Sequence, residues 1–281
     1  MAADALIGAA AAGGIAIGVT WSIERWGGRV GGLLGTLPST IVPASVGIFS
    51  SNEDVSVFQH AMDSASAGML VNAIFLYSWK FLPSRLPKWP LLQLLLVMSL
   101  LSLGVWLLLA VGLVSASQSL WGVASSAALG WGGLCAVVVI GAGATWRAAP
   151  APRGNRSVSR LALLSRGVFA AAAIGIAIVL SGWLGGLAAG VASIFPAMFL
   201  TAMVSLWWSQ GQAVPGGAVG PMMLGSASVS AYAVVAREAV PWFGIWTGSL
   251  VSWCFAVLLV TVPAWWWLGW RRRVAERNAG P

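Results

Sequence analysis

Glu53, Asp54, His60 and Asp63 fall within one short stretch, SNEDVSVFQHAMD, in a chain that has only 7 acids and 1 histidine. Carboxylate and imidazole suit several divalent metals, and His60 and Asp63, spaced by three, would share a face of a helix. The set could therefore attract or hold a cation. Against that reading, no second histidine and no cysteine completes a recognisable ligand set. An acidic loop with Asp63 in the first turn of a helix is also what the helix dipole favours unaided. Asp63 is the one acid inside an apolar run, where an ionisable group is expensive and functional by default. It is the candidate for ion or proton coupling.

The uncharged polar candidates lie near two proline-interrupted apolar segments. "TLPSTIVPASVG" carries Thr36, Pro38, Ser39, Thr40 and Pro43, and "VASIFPAMFLTAM" carries Ser193, Pro196 and Thr201. Proline removes a backbone donor and blocks the carbonyl one turn back. Inside a bilayer the freed groups must face protein or a wet cavity. Downstream of each segment, "SAGMLVNA" contains Asn72 and "PMMLGSA" contains Ser226, with Ser228, Ser230 and Tyr232 following. The expected solute-binding set is Thr36, Pro38, Ser39, Thr40, Pro43, Asn72, Ser193, Pro196, Ser226 and Ser228. An equal alternative for the serines and Asn72 is interhelical hydrogen bonding, worth about 0.6 kcal/mol per bond in membranes.

Several chemistries are excluded by what is missing. A single histidine cannot provide bis-imidazole haem ligation, and there is no CxxC, Walker loop, dinucleotide fingerprint or nucleophile elbow. Lys80 and Lys88 stand beside Trp and Pro at the edges of apolar runs, leaving no buried lysine for a Schiff base. An enzyme needs convergent acid, base or metal groups, and only Glu53, Asp54, His60 and Asp63 offer any. No enzyme and no cofactor is expected.

The elements that must position these residues follow from composition. The chain has 281 residues, 59% hydrophobic and only 8% charged, whereas roughly a quarter of a soluble domain is charged. An all-α polytopic membrane protein is expected. A span needs about 20 apolar residues, and the runs give nine spans, or ten, at roughly 5–23, 30–50, 61–79, 90–115, 119–146, 167–184, 185–207, 217–236 and 241–270. With nine, every Lys and Arg except Arg237 falls on one side. The positive-inside rule then places the amino terminus outside and the carboxyl terminus in the cytoplasm, with a bacterial inner membrane as the preferred setting. The same segregation explains the net charge of +8 without nucleic acid. Trp79, Trp146 and the cluster Trp265, Trp266, Trp267 and Trp270 precede basic residues and read as interfacial anchors. The opening residues, MAADALIG, lack the basic start of a cleavable signal, so the first apolar segment is expected to be retained. Cys135 and Cys254 lie in apolar runs and imply no disulfide framework.

Gly27, Gly31 and Gly35 are spaced by four on one helix face, and Gly182, Gly186 and Gly190 repeat that spacing before the second proline segment. Rows of glycine let backbones approach closely in a bilayer, so spans 2 and 7 are expected to be Pro-broken helices crossing at the centre. An odd number of spans between the two triplets implies inverted-topology repeats. The division expected is 1–146 as a first repeat, 147–160 as a cytoplasmic linker and 161–281 as a second repeat. Together these features lead to the expectation of a secondary transporter or facilitator that moves a small solute or ion by alternating access at a midplane site. A non-catalytic membrane subunit or scaffold is the alternative, ahead of a membrane-embedded enzyme or a divalent-cation transporter using the acidic cluster. The partners implied are the bilayer and the solute; homo-oligomerisation stays open.

Overall fold

The computed structural model describes residues 37–39, 41–52, 54–120, 126–146, 160–211 and 213–278, with isolated helical positions between 6 and 17. Among these residues there are helices and no strands: α1 (Ile41–Ser50), α2 (Val55–Phe81), α3 (Leu91–Leu120), α4 (Ser126–Trp146), α5 (Arg160–Ser193), α6 (Ala197–Gln210), α7 (Ala213–Phe243), α8 (Ile245–Ala256) and α9 (Val262–Asn278). A 3₁₀ turn, Pro83–Arg85, follows α2, and a π turn, Val257–Thr261, joins α8 to α9.

Local chemistry sets the helix ends. Asp54 caps α2 by accepting the Ser56 N–H at 2.8 Å, a bond that satisfies one of the donors a helix start leaves orphaned. That bond also holds the exposed Asp54 carboxyl below its ordinary pKa. Pro83, Pro87 and Pro90 keep the connection from α2 to α3 from being one helix. Gly211 (φ 83°) ends α6 and Gly244 (φ 78°) separates α7 from α8, both in the left-handed region open to glycine.

Four helices are long and apolar enough to cross a membrane: Leu91–Ala116, Ser126–Trp146, Gly216–Phe243 and Ile245–Ala275. The chain is an integral membrane protein on this ground. Three of these spans are mainly exposed, whereas Gly216–Phe243 has 72% of its apolar window buried, which places α7 at the centre of the bundle. α2 is equally central, with Phe58, Met62, Met69, Phe75, Leu76 and Trp79 buried. Being walled by helices rather than lipid, α2 can carry Asp63, Ser64, Ser66, Asn72 and Ser78 as buried polar residues, each needing a partner.

α2 and α7 run antiparallel, since Asp63 meets Arg237 and Ser66 meets Ser230. α4 lies along both, parallel to α2. Trp267 of α9 reaches Thr145 at the end of α4. The bundle therefore has two chemically distinct ends. Lys80 and Arg85 lie at and just beyond the carboxyl end of α2 and Arg271 stacks on Trp146 at the carboxyl end of the parallel α4, whereas Asp54, His60, Asp63, Arg237 and Glu238 gather at the other end.

Differences from the sequence reading are specific. The loop expected between spans 6 and 7 at "SGWLGG" does not exist; α5 continues to Ser193 and breaks only at residues 194–196. Glycine alone does not end this helix, whose Gly186 and Gly190 rest on α2, and the proline does. The last expected span is divided at its start by Gly244 and carries the π turn. In the second expected span only residues 41–50 are helical among those described, after non-helical residues 37–39. Gly27, Gly31, Gly35 and nearly all of the 147–160 linker lie outside the described residues. Among the described residues the central contact is that of α2 with α7, and the expected crossing of spans 2 and 7 through Gly27, Gly31 and Gly35 lies outside them.

Candidate functional site

The only ion pair joining two helices among the described residues is buried between α2 and α7. Arg237 Nε donates to Asp63 Oδ2 at 2.9 Å, with the Asp63 side chain 1% and the Arg237 side chain 17% exposed. Arg237 also pairs with its neighbour Glu238, which is mostly exposed. Asp63 Oδ1 has no hydrogen-bond donor at bonding geometry; it lies against Gly130 of α4, where a Cβ would stand 2.6 Å from it. Ser126 at the start of α4 and His60 one turn back complete the polar surroundings. Burial of such a pair is tolerated because the charges neutralise each other, and removing one partner would leave the other uncompensated.

Nine residues further along α2, Asn72 binds the break between α5 and α6. Its Nδ2 donates to Ile194 O at 2.8 Å, and its Oδ1 accepts from Trp106 Nε1 of α3 at 2.8 Å. Ile194 is the first residue beyond α5, so its carbonyl is one of those a helix end leaves orphaned. Trp106 in turn packs edge-on to Phe195, ring centroids 5.2 Å apart. In the other half of the chain Tyr232, fully buried on α7, shares a hydrogen bond of 2.7 Å with Ser45 of α1, with Ser249 of α8 beside the same hydroxyl. Asn72 thus joins the turn before α6 to α3, and Tyr232 joins α1 with α8 alongside.

α4 approaches both central helices through glycine. A Cβ on Gly133 would meet the Ala67 backbone, and one on Gly141 would stand 2.6 Å from Leu224 Cα. Nearer the ends of α4, Gly130 abuts Asp63, and Ala144 abuts Gly220 of α7. Ser66 Oγ donates to Gly130 O at 2.6 Å, and Ser230 Oγ to Ser66 O at 3.0 Å. Close packing and these bonds fasten α2, α4 and α7 together.

The structure brings some expected residues together and separates others. Asn72, Ser193 and Pro196 meet at one break, where Ser193 bonds back to Gly190 O. Ser226 bonds back to Met223 O, and Ser228 is fully buried on α7. Ser39 is in the non-helical segment with Pro38, and Pro43 is buried in α1. Thr36, Thr40 and Glu53 lie outside the described residues. Asp54 is committed to capping and Asp63 to Arg237, and among the described residues no three His, Cys, Asp or Glu side chains form a metal site. Gly186 and Gly190 face α2, against Val57 and Ala61.

Arg237, Trp106 and Ser45 are not among the candidates that the sequence offers, and Tyr232 is a polar candidate outside the expected binding set. Arg237 did leave a signal: it is the lone basic residue that the span count puts opposite the others, on the same side as Asp63. Comparison with protein-family models, with curated proteins and with solved structures yields no match.

Proposed function

We propose that the chain is a secondary transporter or facilitator for a small solute or ion, working by alternating access between two inverted halves. What supports this reading is a pattern of contacts around Val137, the buried midpoint of α4. Gly133 and Gly141 are equidistant from Val137 and pack on Ala67 and Leu224; Gly130 and Ala144 are likewise equidistant and pack on Asp63 and Gly220. Asp63 and Gly220 are separated in sequence by the same interval as Ala67 and Leu224. Reversing α4 therefore exchanges α2 with α7, as a two-fold axis perpendicular to α4 requires, and α4 crosses the bilayer. An axis in the membrane plane relating the halves is the hallmark of inverted repeats. The ties of Asn72 and Tyr232 lie on the two exchanged helices but not at equivalent residues.

The charges do not obey the symmetry. Asp63 corresponds to Gly220, and Arg237 corresponds to Lys80. One end of the α2, α4 and α7 contact is consequently closed by an ion pair and the other by small residues. In the proposed cycle the Asp63–Arg237 pair is the latch of one end, and its release frees Asp63 to carry the coupling ion. The basic end is the cytoplasmic one under the positive-inside rule, and the latch faces outside.

The test uses protein with Cys135 and Cys254 replaced by alanine, and a new cysteine at Ser126 or at Ala144, reconstituted in proteoliposomes. Solute flux is expected, together with reciprocal thiol labelling, one end rising as the other falls when solute gradients are reversed. Absence of flux for every solute tried, with labelling that never changes, overturns the proposal. The scaffold reading has one observation in its favour: Asn72 spends both its amide oxygen and its nitrogen on protein partners, as a static packing role would require.

A further inference from the structure

At the basic end, α4 and α9 build a corner that neither reading of function uses. Trp267 Nε1 donates to Thr145 Oγ1 at 3.0 Å, locking the two helices. The Trp267 ring lies 5.4 Å from Trp146 and 5.4 Å from Trp270. Over this aromatic platform sits Arg271, its guanidinium carbon 4.7 Å from the Trp146 ring and 5.5 Å from the Trp270 ring. The Arg271 Nε is buried and has no acceptor. Arg273 and Arg277 lie exposed further along α9, and among the described residues no carboxylate pairs with Arg271, Arg273 or Arg277.

We propose that this corner binds the phosphodiester headgroup of an anionic phospholipid. Its depth is right, because α4 needs its 21 residues to traverse about 30 Å of hydrocarbon and so ends with Trp146 at the headgroup level. The chemistry is right too. A guanidinium offers a planar fork of donors matched to phosphate oxygens, and stacking on indole fixes that fork in place before the ligand arrives. Arg273 and Arg277 add the attraction that clustered basic residues have for an anionic leaflet. A generic interfacial anchor needs exposed Trp and Arg but no immobilised guanidinium with an unfilled donor, and the proposal is independent of whether the chain transports anything.

Heat unfolding is followed in phosphatidylcholine nanodiscs with and without phosphatidylglycerol, for the wild type, Arg271→Gln, Arg271→Lys and Arg277→Gln. Phosphatidylglycerol is expected to raise the midpoint of the wild type and of Arg277→Gln. Its apparent affinity should fall about tenfold in Arg271→Gln, the scale of one lost charge-assisted contact, and fall also in Arg271→Lys, which keeps charge but loses the fork. An equal lipid effect in the wild type and both Arg271 variants overturns the proposal. So does inorganic phosphate in detergent producing the same shift, since the ligand would then not be a lipid. Should Arg271→Gln fail to fold, Trp146→Leu, which removes one wall of the platform, takes its place with the same expected weakening.

Discussion

Gly141→Ala probes the α4 contact on which the proposed two-fold relation rests. The added methyl would stand 2.6 Å from Leu224 Cα and 2.8 Å from Leu224 N, against an ordinary carbon contact of about 3.5–4.0 Å. The obstruction is backbone, so no rotamer change relieves it, and α4 and α7 must part locally by about 1 Å. Overpacking of this kind costs about 1–3 kcal/mol. Alanine recovers up to about 1 kcal/mol of helix propensity, leaving a net loss of roughly 0–2 kcal/mol when that gain is full. Gly143, on the same helix, has nothing within 4 Å of its ideal Cβ, so Gly143→Ala should be neutral or stabilising by up to about 1 kcal/mol. The pair of variants cancels the propensity term, and a gap of about 1–3 kcal/mol is expected between them. Reversible unfolding in mixed detergent, followed by tryptophan fluorescence, measures it. Equal stabilities for Gly141→Ala and Gly143→Ala would refute the close approach, and with it the matching of Gly133 to Gly141.

Arg237→Gln alone should destabilise the protein by about 3–5 kcal/mol by stranding the Asp63 charge, and combining it with Asp63→Asn should restore most of that loss; a double variant as unstable as Arg237→Gln would argue against the pair. In the transport reading, Asp63→Asn should abolish ion-coupled uptake in proteoliposomes, and unchanged coupled uptake would remove Asp63 as the carrier. Asn72→Leu strands both Ile194 O and Trp106 Nε1, and about 1–3 kcal/mol is expected from unfolding measurements, more than Ser226→Ala, which frees only a bond within its own helix. The Ser56 N–H lowers the Asp54 pKa, so this cap contributes stability above the ordinary carboxylate pKa and loses it as pH falls through the lowered value. Amide protection at the start of α2, taken relative to the free-peptide exchange rate at each pH, should fall over that acidic window in the wild type and show no such step in Asp54→Asn.

Residue chemistry along the chain was enough to establish an integral membrane protein made of helices, apolar runs at 90–115 and 119–146 that overlap the helices Leu91–Leu120 and Ser126–Trp146, the break at Pro196 and the isolation of Asp63 among apolar residues. These are local properties: hydrocarbon solvates a segment according to its own side chains, and proline interrupts a helix wherever it falls in the interior. Which groups answer one another was decided by tertiary structure alone. Arg237 reads in sequence as a loop residue on the sparsely charged side, and only the antiparallel packing of α2 on α7 makes it the partner of Asp63. Asn72 reads as a candidate for binding solute, and its position beside the end of α5 turns it into the acceptor of Trp106 and the donor to Ile194. The continuation of α5 through its glycines has the same origin, because Gly186 and Gly190 rest on α2 and close packing there replaces the stability that glycine withholds from a lone helix. A polar group in a bilayer must be satisfied, but nothing along the chain records by whom, since the partners come from elements brought together only when the bundle closes.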